Sequence, residues 1–385
     1  MDAVSNPYSP GAGLRPGLVA GRQDELDAFA AAAARAELAR PTRGLMLTGL
    51  RGVGKTVLLN EMANHAEDKD WVVARLEVRP GGAQAALTQL TAELARGLRA
   101  KRGNRLSDAA TRALRSVKSL SLTIDPSGAI AATTDLDAVG SGDLEVDLAA
   151  AIKDVSLAAR ELGTGVAVFI DEMQELDAPA MAALSAAAHA AGQRDAPSVL
   201  VGAGLPNLPG KLADAKSYAE WLFDYRPLGR LEGQTAVDAL AVPAADAGAR
   251  WASDALAEAV AAAGGYPYFL QQFGAATWEV AAGPDISVAD ARNGIRLGQS
   301  ILDGGFFRAR WDRATAAERR YMQAMAASGD RARTPDVAAV LGREQRSLGP
   351  IRAGLIGKGL IYAPEYGVVA FTVPAMADFI SRQID

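Results

Sequence analysis

Residues 49–56 read Gly49-Leu50-Arg51-Gly52-Val53-Gly54-Lys55-Thr56, with Val57 next. The spacing G-x-x-x-x-G-K-[ST] is that of a phosphate-cradling P-loop. Gly49, Gly52 and Gly54 let the backbone turn tightly, so that successive N–H groups face phosphate oxygens. A helix beginning at the lysine adds partial positive charge at the same place. Lys55 is expected to reach the β- and γ-phosphates of a nucleotide, and the Thr56 hydroxyl to ligate Mg2+. The plainer reading is a glycine turn that only caps a helix. The flanks argue against it. Leu45-Met46-Leu47-Thr48 reads as a strand, and Val57-Leu58-Leu59-Asn60-Glu61-Met62 as the opening of a helix.

A second constellation follows further along. Val166-Ala167-Val168-Phe169-Ile170 leads straight into Asp171-Glu172. Five apolar residues fit a central parallel strand covered on both faces. Asp171 then stands where an aspartate holds Mg2+, directly or through water, and Glu172 where a carboxylate polarises an attacking water. By itself Asp-Glu is as readily a solvated strand end or a helix cap. Behind a P-loop it implies hydrolysis of ATP, with ATP and Mg2+ as the ligands. A purely structural nucleotide holder has no use for Glu172.

Composition bounds the alternatives. The chain has 385 residues, 49% of them hydrophobic, enough for two or three domains with buried cores. A net charge of −5 argues against indiscriminate nucleic-acid binding. With no cysteine there is no disulfide framework, thiolate metal site or thiol nucleophile. The two histidines, His65 and His189, stand apart on predicted helices and do not make a metal site. Met1-Asp2-Ala3-Val4 lacks the basic and apolar regions of a signal peptide. No apolar run approaches the ~18–20 residues that span a bilayer. The expectation is a soluble cytoplasmic protein with no membrane role.

The elements that must position these residues can be placed in order. Residues 1–17, rich in Pro and Gly, read as a flexible or extended lead-in. Residues 18–231 read as the nucleotide-binding core. It holds a helix opened by Gly21-Arg22-Gln23-Asp24-Glu25-Leu26, a strand at Trp71–Val78, helices near 83–102, 145–162 and 178–192, a strand at Ser198–Gly204 and an edge strand at 224–228 carrying Pro227. Residues 103–145 read as an insertion. There Leu120-Ser121-Leu122-Thr123-Ile124 alternates ahead of Asp125-Pro126-Ser127-Gly128 and Ile130, which is a hairpin signal.

Residues 96–118 are strongly basic (Arg96, Arg99, Lys101, Arg102, Arg105, Arg112, Arg115, Lys118) and 125–154 strongly acidic. Two readings fit. Either the halves pair with each other, or 96–145 is a contact surface for a protein partner or phosphate backbone. Residues 232–310 read as a helical lid punctuated by Gly264-Gly265 and Pro267. Residues 311–385 read as three helices and a strand–turn–strand, a winged helix. Arg343, Arg346, Arg352 and Lys358 are its candidate contacts to duplex DNA, and packing against protein is the alternative use.

The ordered set resembles the AAA+-like ATPases of the origin-recognition and STAND signalling groups. It runs Gly21-Arg22-x-x-Glu25-Leu26, P-loop, Ile170-Asp171-Glu172 strand, helical lid, winged helix. The resemblance implies an α/β P-loop NTPase sheet of order 5-1-4-3-2, Gly21 and Arg22 beside the adenine, and Pro267 near the nucleotide, as in STAND lids. It also implies a nucleotide-dependent homo-oligomer. Two features depart from the AAA+ pattern. Gly264-Gly265-Tyr266-Pro267-Tyr268-Phe269-Leu270 has no arginine where an AAA+ lid often presents one, and Asn207 is the only polar sensor candidate after the fourth strand. Arg194 has two readings, a surface residue or an arginine acting on a neighbour's nucleotide. An arginine finger is worth ~10³–10⁵ in rate, or ~4–7 kcal/mol of barrier. The expectation is therefore a slow ATPase whose bound nucleotide sets a conformation.

Overall fold

The computed structural model describes residues 1–101, 107–124, 140–192 and 196–383. The chain divides into two compact units. One comprises Gln23–Thr48 and Leu58–Pro227; the other comprises Met1–Arg22, Gly49–Val57 and Leu228–Asp385.

The first unit is built on a five-stranded parallel sheet. In chain order its elements are α1 (Gln23–Glu37), β1 (Gly44–Thr48), α2 (Lys55–Asp68), β2 (Val72–Glu77), α3 (Ala83–Lys101), α4 (Asp108–Ile124), α5 (Leu144–Glu161), β3 (Val166–Asp171), α6 (Ala178–Gly192), β4 (Ser198–Gly204), α7 (Leu208–Ala215), α8 (Ala219–Leu222) and β5 (Phe223–Pro227). The first three residues of α2 fall in the second unit. The strand order is β2-β3-β4-β1-β5, the expected 5-1-4-3-2 arrangement of a P-loop NTPase. β1 and β3 are buried along their whole length, as central strands covered on both faces must be. Pro227 ends β5 at the sheet edge, where its missing N–H costs no ladder bond.

Alternation along β3 divides the core. Val166, Val168 and Ile170 join Leu87, Leu90, Val155 and Leu184 in one cluster with α3, α5 and α6. Phe169 points the other way and its ring lies 5.6 Å from that of Phe29 on α1. Each such fully buried side chain stabilises the fold by about 1.5–3 kcal/mol.

The hairpin expected around residue 120 is not there. Residues 120–124 are the last turns of α4, which buries Ala109, Ala113, Leu114, Val117 and Leu120 in the same core cluster. Their recurrence every three to four residues outweighs the short alternation of 120–124. The turn at Asp125-Pro126-Ser127-Gly128, together with Ile130, Arg102, Arg105 and Arg194, lies outside the described residues. The acidic helix α5 meets α4 through hydroxyls as well as apolar packing. Ser116 Oγ donates to Asp154 at 2.6 Å, and Thr123 donates to the buried Asp147.

The second unit contains α9 (Gly233–Asp246), β6 (Arg250–Trp251), α10 (Ser253–Ala263), α11 (Pro267–Val280), β7 (Asp285–Ile286), α12 (Val288–Ile301), a π-helical stretch at Leu302–Phe307, α13 (Arg308–Asp312), α14 (Ala316–Ala326), β8 (Arg331–Arg333), α15 (Thr334–Leu341), α16 (Gly349–Gly357), β9 (Ile361–Tyr362), β10 (Val368–Phe371) and α17 (Met376–Ser381). β8, β10 and β9 form an antiparallel sheet in that order. β8, α17 and the small β6–β7 pair are too short to leave a periodic signal in the sequence.

The lead-in at 1–17 has no regular structure but is anchored rather than loose. The Met1 amino group donates to the carbonyls of Trp278 and Ala281. The Tyr8 ring is buried against Gly274, with its hydroxyl between Leu240 O and Trp251 Nε1.

Candidate functional site

Residues 49–54 leave the carboxyl end of β1 and turn into α2, which starts at Lys55. Gly52 and Gly54 take φ of +90° and +94°, conformations that L side chains rarely adopt. Nothing lies within 4 Å of a Cβ built on Gly54, so the backbone there is open to approach. Lys55 is buried, and its Nζ donates to the carbonyls of Gly49 at 2.8 Å and Leu50 at 2.9 Å. The ammonium is thus folded over the loop it is expected to serve.

The rest of the second unit grips this loop. Arg22 Nη2 donates to Val53 O at 3.2 Å and to Gly229 O at 2.7 Å. Gly21, at φ +61°, packs against Thr235 and Leu231. Tyr266 donates its hydroxyl to Arg51 O. The Tyr268 N–H, one residue past Pro267 at the start of α11, donates to Gly52 O at 3.2 Å. From the C-terminal region, Thr372 O accepts the Arg51 N–H at 3.0 Å. A Cβ on Gly13, from the lead-in, would lie 3.0 Å from the Thr56 methyl. The structure therefore brings Gly21, Arg22, residues 49–57 and the segment beginning at Pro267 together. The sequence did not announce Tyr266, Tyr268 or Thr372 as partners of the loop, because two of these contacts use backbone groups.

Aromatic packing sets the electrostatics beside the loop. Burial pushes the Tyr266 hydroxyl well above the usual phenol range, which keeps it a donor. The Arg310 guanidinium lies 4.0 Å from the centre of the Phe306 ring. Burial lowers its pKa to about 10, and the charge of Arg51 acts in the same direction.

Asp171 is the last residue of β3, in the first unit, and is buried. Its Oδ1 accepts the Glu172 N–H at 2.8 Å. Glu172 sits in the left-handed region at φ +50° and ψ +37°, uncommon for a non-glycine residue. Gln174 Nε2 donates to Glu172 Oε2 at 2.5 Å. After β4, Asn207 Oδ1 is buried without a hydrogen-bond partner among the described residues. A hydroxyl at Thr56 and a carboxylate at Asp171 are the hard oxygen donors that Mg2+ takes, so the residue types suit that ion. Among the described residues no group of three or more His, Asp or Glu forms a metal cluster, and no helix is long and apolar enough to cross a membrane.

Of the four candidate DNA contacts, Lys358 is engaged within the protein. Lys358 Nζ donates to Glu318 Oε2 at 2.6 Å and to Arg313 O at 3.0 Å. Arg352 is half-buried, with its Nε buried and without a hydrogen-bond partner among the described residues. Arg343 and Arg346 are exposed, just ahead of α16.

Residues 18–201 match the AAA ATPase domain. That match spans both the P-loop and the strand that ends in Asp171. Downstream of this match, residues 304–380 match a Domain of unknown function (DUF8462). No curated protein sequence matches the chain. Among solved structures, the Walker-type ATPase paby2304 of Pyrococcus abyssi aligns over 97% of this chain and 98% of its own, at 16% identity and a TM-score of 0.61. Orc1 of Aeropyrum pernix, solved in complex with DNA, aligns over 95% and 94% at 14% identity and a TM-score of 0.47. The RuvB Holliday junction branch migration motor of Thermotoga maritima aligns over 93% and 95% at 14% identity and a TM-score of 0.47. At 16% identity the likeness to the Pyrococcus abyssi ATPase is one of fold.

Proposed function

We propose that this protein binds ATP at residues 49–57, hydrolyses it slowly, and uses the bound nucleotide to set the conformation of its C-terminal region. The observation that carries the reading is the grip on the P-loop. Arg51 and Gly52 are hydrogen-bonded to Tyr266, Tyr268 and Thr372, so a change in the loop is felt by the lid segment and by the segment after β10. In this reading the loop N–H groups and Lys55 hold the phosphates, Thr56 and Asp171 hold Mg2+, and Gly21, Arg22 and Pro267 line the nucleotide. Bound Mg2+ supplies charge neutralisation at the phosphate oxygens. Glu172 takes a proton from the water whose oxygen bonds to the γ-phosphorus as the bridging P–O bond to ADP breaks.

Residues 311–385 are proposed to be a winged helix. Its use divides two readings. DNA binding rests on the exposed Arg343 and Arg346. A protein-facing role in a STAND-like signalling or scaffold ATPase is favoured by one observation: Lys358, half-buried, is paired with the buried Glu318. The region 96–145 is the proposed second protein contact, and nucleotide-dependent self-association the proposed assembly.

Fluorescence anisotropy of a labelled duplex, titrated with the Glu172→Gln variant in Mg-ATP and Mg-ADP across a salt series, separates the readings. Salt-sensitive, nucleotide-dependent binding supports DNA handling. No binding at low salt in either state rules it out in favour of protein partners. Absence of any ATP turnover by the parental protein overturns the ATPase reading itself.

A further inference from the structure

Gln174 is a polar side chain only 3% exposed, beside the two carboxylates but assigned no part in the chemistry above. Its amide spans two elements. Oε1 accepts the Leu205 N–H at 3.0 Å, just beyond β4. Nε2 donates to Glu172 Oε2 at 2.5 Å and to Glu175 Oε1 at 3.2 Å. The orientation of the amide is chemically forced, since a backbone N–H requires the oxygen and carboxylates require the NH2 group. The main chain is held too, as Lys211 Nζ on α7 donates to Gln174 O at 2.7 Å.

We infer that Gln174 is a positioning residue for Glu172, fixing its carboxylate to the carboxyl end of β4. The inference rests on the hydrolytic role given to Glu172 above. A residue needed only to satisfy Leu205 requires an acceptor and nothing more. Glutamate at 174 meets that need and fills the same volume. The amide of Gln174 places an acceptor at Leu205 and a donor at Glu172, which an ionised carboxylate cannot do.

Two further features fit. Gly204 leaves room for the bridge, because a Cβ there would lie 2.7 Å from Gln174 Oε1. The left-handed backbone of Glu172 is a costly conformation that persists where surrounding bonds over-determine it, and here Asp171 and Gln174 both do so. The bridge also has a consequence for control. A shift of the β4–α7 corner, which holds Leu205, Asn207 and Lys211, moves the carboxylate through Gln174.

The test uses the full-length protein, with steady-state ATPase kinetics, equilibrium binding of a fluorescent ATP analogue and thermal unfolding. Gln174→Glu keeps the acceptor for Leu205 but turns a carboxylate toward Glu172. Gln174→Met removes both ends of the bridge. The inference predicts that kcat falls about 10–100-fold in each folded variant, the scale of a misplaced catalytic group. Analogue affinity stays within about twofold, since the phosphate-binding loop is untouched. In a Glu172→Gln background, Gln174→Glu causes no further loss, because the two residues act as a unit. A purely structural role predicts the opposite split for Gln174→Glu, with parental kcat retained. Parental kcat in either folded variant, while Glu172→Gln is inactive, overturns the Gln174 inference alone. Absence of turnover in the parental protein overturns it together with the hydrolytic reading.

Discussion

The carbonyl of Thr372 accepts the N–H of Arg51 at 3.0 Å, a backbone bond between the middle of the P-loop and the segment that follows β10. Beside it the Tyr266 hydroxyl donates to the Arg51 carbonyl. Both polar groups of one peptide-linked residue are therefore claimed by the C-terminal half of the chain.

Tyr266→Phe removes one of these bonds and little else. The buried ring keeps its packing against Phe269, and the lost hydrogen bond costs about 1 kcal/mol. The loop is then held less firmly. Stopped-flow displacement of a fluorescent ADP analogue should show release several-fold faster than in the parental protein, with a melting temperature only slightly lower. An unchanged release rate counts against coupling through Arg51.

Lys55→Ala and Glu172→Gln should separate binding from chemistry. Loss of the Lys55 ammonium removes the charge placed for the β- and γ-phosphates and should abolish analogue binding. The glutamine keeps the size of the side chain but not its basicity. It should retain binding and lose ~10²–10⁴ in kcat, the usual contribution of a general base. Parental turnover in Glu172→Gln refutes the assignment of the base.

The N-terminal segment should stabilise the unit it crosses. Tyr8→Phe takes one donor from Leu240 O, which lies inside α9, and leaves the buried Trp251 Nε1 without its acceptor. A buried group left unsatisfied costs about 1–3 kcal/mol, so thermal unfolding should shift measurably downward. An unchanged melting temperature would mean that the segment is not held as described.

The Glu318–Lys358 pair sets a pH dependence. Burial pushes the Glu318 carboxyl up, but Lys358 and the hydrogen bonds from Thr315 outweigh it and hold the group below its ordinary value of 4.5. A depressed folded-state value means stability that is present above that ordinary value and lost as pH falls through the folded one. Lys358→Met should therefore lower the melting temperature at neutral pH. The gap from the parental protein should narrow as pH drops below 4.5. A gap that stays constant with pH indicates lost packing rather than a lost charge pair.

The sequence by itself carried everything that depends on neighbours along the chain. Glycines at 52 and 54 can be read as a loop because only a local backbone requirement selects them. Asp171 can be placed at a strand end because the apolar run before it is contiguous. The sheet order followed from the resemblance that these motifs carry. Where two local patterns competed, around Leu120, five alternating residues suggested a strand. The longer helical period, sustained by burial against α3 and α5, decided for α4. Tertiary structure alone decided which groups meet. Thr372 reaches Arg51 through a carbonyl that every residue type possesses, so no side chain advertises it. Gln174 looks like any polar residue after a strand until Leu205 and Glu172 are placed at opposite ends of its amide. Lys358 looks like a solvent-facing cation until α14 folds Glu318 beneath it. In each case the deciding quantity is a through-space distance between groups far apart in the chain, fixed only when the helices and strands pack.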